Sequence, residues 1–321
     1  IAWNLDRELA VAFDFPNPQW QQPYRDDNAD GRNDWIFEIP VRGKTTSRSP
    51  GFPFFVAAIY KTLDRNWFAV RLAQILILAG ALALLTISVG RTGGNWAAAI
   101  VTATLAADFF VLRTSGQFMS EALGTAIVAM LFVCCITASP DSKNSSPFRW
   151  LPIGILFGIG CLVRANMNAW LLLILASSAA WTVWRALAGK PLKPVLIRVL
   201  LFVSGVIIVT TPWWIRNCQV TGGLAPFGTS GSFGLAGGYC DPAYENFGNW
   251  HMATVLASQK ASMNSSGFDE KSLPQQEFQM GQDSTRTAWN WVVEHPRKIP
   301  GLMLMKGYSH LGFYRQPGWL M

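Results

Sequence analysis

Charge is what this sequence is short of. Asp, Glu, Lys and Arg make up 14% of its 321 residues, against 50% hydrophobic residues that include 15 Trp and 20 Phe. A soluble domain carries about a quarter charged residues, so a water-soluble globular protein of this length is excluded. The formal net charge of +7 does not point to nucleic acid, because no basic stretch is interleaved for tracking a phosphate backbone. Cysteine is also scarce. Of the five, Cys134, Cys135 and Cys161 fall in long apolar runs, where a thiol behaves as a small apolar side chain. Cys218 and Cys240 share a polar segment, where either a bridge closing the glycine-rich loop or two free thiols are compatible with the sequence. Internal repeats and paired broken helices, the marks of a transporter, are missing too.

What is present is a series of apolar runs of about 18 residues or more, the length that crosses a bilayer core. The fold class expected is an all-α polytopic membrane protein, a bundle of about six transmembrane helices plus interfacial helices with outer loops. Spans are expected near 67–89, 95–112, 121–137, 150–163, 169–187 and 194–215. Three regions follow: an outer loop with an amphipathic helix over 1–50, the bundle over 51–216, and an extracytoplasmic loop with helical segments over 217–321. Within the last, a glycine-rich loop runs from Gly222 to Gly238, ahead of helices near Trp250 to Ser262 and Gln275 to Glu294. The chain opens in mid-pattern at Ile1 and stops at Met321 without a further span, which suggests a fragment shortened at both ends.

Lys and Arg counting sets the orientation. The connections at Arg91, at Lys143 and Arg149, and from Arg185 to Arg198 are the basic ones and should be cytoplasmic. Residues 1–50, the Arg113 and Arg164 turns and residues 217–321 then share the outer side. The polar residues at helix ends fall on that side: Arg71, Asp108, Arg113, Glu121, Arg164, Asn166, Asn168, Arg216 and Asn217. Ionisable residues at membrane helix ends are costly unless they pair, hydrate or bind something. Arg71, Arg113, Arg164 and Arg216 suit a phosphate, being permanently charged and able to bind it bidentately. Glu121 and Asp108 are the carboxylates placed to act beside them, as a base or by orienting an arginine.

The outer loop holds one metal candidate. Asp26, Asn28, Asp30, Arg32 (through its carbonyl) and Asp34, with Gly31 at the sixth place, follow the spacing that wraps a loop around Ca²⁺. Position twelve is Phe37 rather than Glu, so a complete EF-hand is excluded. A structural Ca²⁺ stiffening the loop is one reading, and a solvated acidic turn the other. No organic cofactor is expected.

Five motifs occur in order: Ser49-Pro50-Gly51-Phe52-Pro53, Ala69-Val70-Arg71-Leu72, Ser120-Glu121-Ala122-Leu123, Leu162-Val163-Arg164, and Thr211-Pro212-Trp213-Trp214-Ile215-Arg216-Asn217. Together they resemble the GT-C integral-membrane glycosyltransferases of the protein-mannosyltransferase and aminoarabinose-transferase type. The resemblance covers most of residues 1–217 and extends weakly to His295-Pro296. It implies transfer of a sugar, with inversion, from a polyprenyl-phosphate carrier to a protein, lipid or glycan acceptor on the outer face of a bacterial inner membrane. The partners implied are a lipid-linked donor, an unknown acceptor and membrane lipid, with no nucleic acid. The family's catalytic Asp is expected before Ile1, since Asp6 and Glu8 lie too late on the first helix. Ala165 stands where the family has a proline after the outer-turn arginine. The alternative from a different class is a non-enzymatic or transport polytopic membrane protein.

Overall fold

The structure, a computed structural model, describes residues 49–63, 66–107, 120–138, 146–225, 228–268 and 271–310. Among them every regular element is helical: eleven α-helices and two short 3₁₀ turns, with no strand. Two compact units divide the chain, one described from 49 to 214 and the other from 215 to 310.

The first unit contains α1 (Gly51–Leu63), α2 (Trp67–Ala107), α3 (Ser120–Thr137), α4 (Trp150–Val163), α5 (Met167–Leu187) and most of α6 (Lys193–Thr221). Of these α2, α3, α5 and α6 are long and apolar enough to cross a membrane, while α1 and α4 are shorter apolar helices. Large apolar side chains point outward along them, among them Leu76, Trp96, Ile100, Leu172 and Leu200. In water that outer surface would be untenable; in hydrocarbon it is ordinary. The protein is an integral membrane protein.

A straight helix of the 41 residues in α2 would run about 60 Å, twice the hydrocarbon thickness. Gly94 resolves this with φ 82° and ψ 173°, a conformation open to glycine and strained for any other residue. A Cβ on Gly90 would lie 3.3 Å from that of Ala98, eight residues on, so the two legs fold back on each other. The Arg91 to Gly94 turn read from sequence is therefore a one-residue reversal.

Small residues then set the helix packing. A Cβ on Gly154 of α4 would sit 2.0 Å from the Phe202 carbonyl oxygen, and one on Gly205 of α6 2.4 Å from that of Leu151. Gly158 follows Gly154 by four residues and meets Val206 and Val209. α4 and α6 thus approach backbone to backbone along a small-xxx-small stripe. Phe157 and Phe202 pack edge-on at 5.4 Å beside it, in a core shared with Ile153, Cys161, Met167 and Val206. The first leg of α2 runs parallel to α3, with Leu78 and Ala81 against Ala122, Ala126 and Ala129. α4 runs back along α3, from the Arg149 guanidinium donating to the Thr137 carbonyl at 3.3 Å to Gly160 beside Ile127.

The second unit holds the end of α6, then α7 (Ser230–Gly238), α8 (Asp241–Glu245), α9 (Met252–Met263), α10 (Leu273–Glu294) and α11 (Ile299–His310). Half of the glycine-rich loop expected from Gly222 to Gly238 is helix. Its glycines serve close packing there: a Cβ on Gly237 would lie 2.3 Å from the Trp250 indole nitrogen, which donates to the Phe233 carbonyl at 3.3 Å. α9 and α10 pack through serines, Ser258 to Ser284 at 3.0 Å and Ser262 to Asp283 at 2.7 Å. The Cys218–Cys240 bridge is not formed; both thiols are free. Cys218 lies within the last turns of α6, and Cys240 is buried with its thiol directed to the Gly237 carbonyl at 3.6 Å.

Candidate active site

Four helix ends of the first unit meet at one end of the bundle. Val70 near the start of α2, Leu123 near the start of α3, Val163 at the end of α4 and Phe52 with Val56 of α1 form a single buried cluster. Gly51 makes the approach possible: a Cβ there would lie 2.8 Å from the backbone carbon and oxygen of Leu162. That contact explains the Ser49-Pro50-Gly51-Phe52-Pro53 motif in physical terms. Phe54 adds an edge-on contact to Trp213 of α6 at 6.4 Å.

Two of the candidate residues stand over this cluster as a pair. Arg164 Nη2 lies 3.4 Å from Glu121 Oε1, and both side chains are about three-quarters enclosed, at 27% and 24% exposure. Each comes from a helix end. Glu121 occupies the first turn of α3, where a carboxylate also meets the positive end of the helix dipole. Arg164 is the extended residue closing α4, with φ −137° and ψ 122°. Its backbone N–H still donates to the Gly160 carbonyl at 2.8 Å. The arginine stem crosses α3 over Gly124, where a Cβ would fall 2.4 Å from Arg164 Cδ. Sequence reasoning missed Gly124; the spacing of three from Glu121, placing both on one helix face, was the available signal.

Arg71 adjoins Val70 of the same cluster. Its guanidinium sits 4.5 Å over the Trp67 ring, and its Nε is enclosed without a hydrogen-bond partner. Stacking holds the group by its face and leaves the in-plane donors to face outward. In the turn after Arg164, the buried Asn168 donates through Nδ2 to the Ala165 carbonyl at 2.9 Å, and its Oδ1 has no partner. Asn166 is exposed and its side chain does not cap α5. Arg216 and Asn217 belong to the second unit, where Arg216 Nη1 donates to Asn217 Oδ1 at 3.1 Å. Asp108 and Arg113 lie outside the described residues, as do all five residues of the Ca²⁺ candidate, Asp26, Asn28, Asp30, Arg32 and Asp34.

The arrangement is chemically specific. One carboxylate is engaged with one arginine, which leaves the remaining donors of Arg164 for an anion. The model of the dolichyl-phosphate-mannose-protein mannosyltransferase family matches residues 47–215, just over half the chain. The chain belongs to that family. No curated protein and no solved structure matches it. The mannosyltransferase-family match spans the described part of the first unit and ends in α6 at Ile215. Arg71, Glu121 and Arg164 fall inside it, and Arg216 falls one residue beyond. Membership makes the protein a membrane glycosyltransferase of GT-C type, using a lipid-linked sugar donor, in place of the non-enzymatic or transport alternative.

Proposed function

We propose that this glycosyltransferase takes its sugar from a polyprenyl-phosphate carrier at the outer face of a bacterial inner membrane, with Arg164 gripping the carrier phosphate. The Arg164–Glu121 pair at 3.4 Å carries this reading. A free arginine at a membrane surface snorkels among many conformers; one tied to a carboxylate and laid over Gly124 is held in a single direction. Arg71, stacked on Trp67, is the second phosphate donor. Arg113 is a further candidate of the same chemistry, and Asp108 a further candidate carboxylate. In this account Glu121 positions Arg164 rather than removing a proton.

The anomeric C–O bond to the phosphate breaks with its electron pair left on the phosphate oxygens, the acceptor's oxygen or nitrogen bonds to the anomeric carbon, and the acceptor's proton passes to a base or to water. Fixed guanidinium groups favour that leaving group more strongly than the bound donor, which is the differential interaction that speeds transfer. Membranes containing the protein, supplied with labelled sugar on a polyprenyl phosphate, should move label from the polyprenyl carrier into an acceptor. Label that stays on the carrier with every acceptor class, protein, lipid and glycan, would count against the proposal.

A further inference from the structure

We propose that Asn168 is a positioning residue for transfer: its side-chain amide locks the turn that carries Arg164, a role that rests on Arg164 receiving the donor phosphate. Only three residues join α4 to α5: Arg164, Ala165 and Asn166. None is glycine or proline, so hydrogen bonds must hold the link. The Arg164 N–H donates back to the Gly160 carbonyl at 2.8 Å, and the Arg164 carbonyl accepts from the Met167 N–H at 3.1 Å. The next carbonyl, that of Ala165, accepts twice, from the Asn168 N–H at 3.1 Å and from Asn168 Nδ2 at 2.9 Å. Among the described residues, no other side chain bonds to the backbone of this turn.

The direction of that bond separates it from ordinary helix capping. A polar side chain at a helix start usually accepts from the free N–H groups of the first turn. Asn166, the residue placed to do so, makes no such bond. Asn168, the second residue of α5, donates instead, to a carbonyl ahead of the helix, and its buried Oδ1 has no partner. An orphaned buried acceptor weakens a fold, and an apolar residue would avoid it. The amide therefore serves the turn rather than α5. Its leverage is short: Arg164 precedes the held carbonyl by one residue, and its stem crosses Gly124 to meet Glu121 at 3.4 Å. A different lock fits the same backbone. Arg164 is extended at φ −137° and ψ 122°, the conformation that a following proline requires. Ala165 stands second in the turn closed by Met167, where proline is favoured, and its N–H has no partner to lose. Ala165→Pro should therefore replace the Asn168 bond.

The test compares Asn168→Leu, alone and combined with Ala165→Pro, in the full chain in nanodiscs. Hydrogen–deuterium exchange of the peptide spanning 164–169 should quicken in Asn168→Leu and return to the wild-type rate in the double variant. Affinity for a labelled polyprenyl-phosphate sugar should fall about fivefold, the effect of one hydrogen bond, and recover with the second substitution. Asn168→Ala reads the same bond should Asn168→Leu fail to fold. Unchanged exchange overturns the lock, whatever happens to donor binding. Faster exchange with undiminished affinity overturns the positioning role if Arg164→Ala binds weakly. If Arg164→Ala also binds as wild type does, the donor reading falls and the role of Asn168 with it. Lost affinity that stays lost after Ala165→Pro has restored slow exchange overturns it in favour of direct contact between Asn168 and the donor.

Discussion

Gly124 is where a single methyl group would disturb the candidate site without touching either charged residue. In Gly124→Ala the new Cβ meets Arg164 Cδ at 2.4 Å, so the arginine must swing away from Glu121. Donor KM should rise about tenfold with little change in melting temperature, because a mobile side chain rather than backbone gives way. Glu121→Gln keeps the shape and removes the charge; kcat/KM should fall by about 10²-fold in the transfer assay while the fold stays intact. Full activity in both variants would remove Glu121 from its positioning role. In the second unit, Asp241 offers a pH probe. The Lys298 ammonium bonded to it at 2.8 Å, and then the Trp291 indole at 3.1 Å, hold its carboxyl below the ordinary value of 3.8. A depressed folded value means the stabilisation is complete above 3.8 and fades as pH falls through the folded pKa. Wild type should therefore lose melting temperature below pH 3.8 more steeply than Asp241→Asn, which should already be less stable at neutral pH.

Between helices, glycines separate into those that hold the fold and those that do not. Gly154→Ala drives a Cβ to 2.0 Å from the Phe202 carbonyl, and backbone cannot move aside cheaply. A loss of about 1–3 kcal/mol is expected, read as a lowered melting temperature in detergent or nanodisc. Gly80→Ala in the middle of α2 meets nothing within 4 Å and should be neutral or stabilising by up to about 1 kcal/mol. Equal effects from the two would contradict the packing of α4 on α6. At this scale the all-helical membrane class was legible, because lipid imposes a length and an apolar composition that the sequence must display, though the expected 150–163 span is a shorter apolar helix. The glycine-rich segment was not. Ser230-Gly231-Ser232-Phe233-Gly234-Leu235-Ala236-Gly237-Gly238 carries four glycines and two serines, residues that favour turns over helix, and tertiary contacts such as Trp250 on Gly237 override that tendency.

For the molecule as a whole, the sequence pointed to candidate residues at one end of a bundle because charged residues inside a membrane protein are few and therefore informative. It could name Glu121 and Arg164, 43 positions apart, as residues of one side, since topology alternates with each span. It could not pair them, because pairing depends on the close approach at Gly51 and Gly124, where the signal is the absence of a side chain. Arg216, grouped with them by topology, belongs to the second unit. The central claim is that Arg164, held by Glu121, receives the phosphate of a lipid-linked sugar. Its most direct measurement is equilibrium binding of labelled polyprenyl-phosphate sugar to the reconstituted protein, wild type against Arg164→Ala. Saturable wild-type binding is expected, displaced by unlabelled polyprenyl phosphate but not by neutral polyprenol, and weakened at least tenfold in Arg164→Ala. Equal affinity in the two proteins, or displacement by polyprenol as effective as by its phosphate, would contradict it.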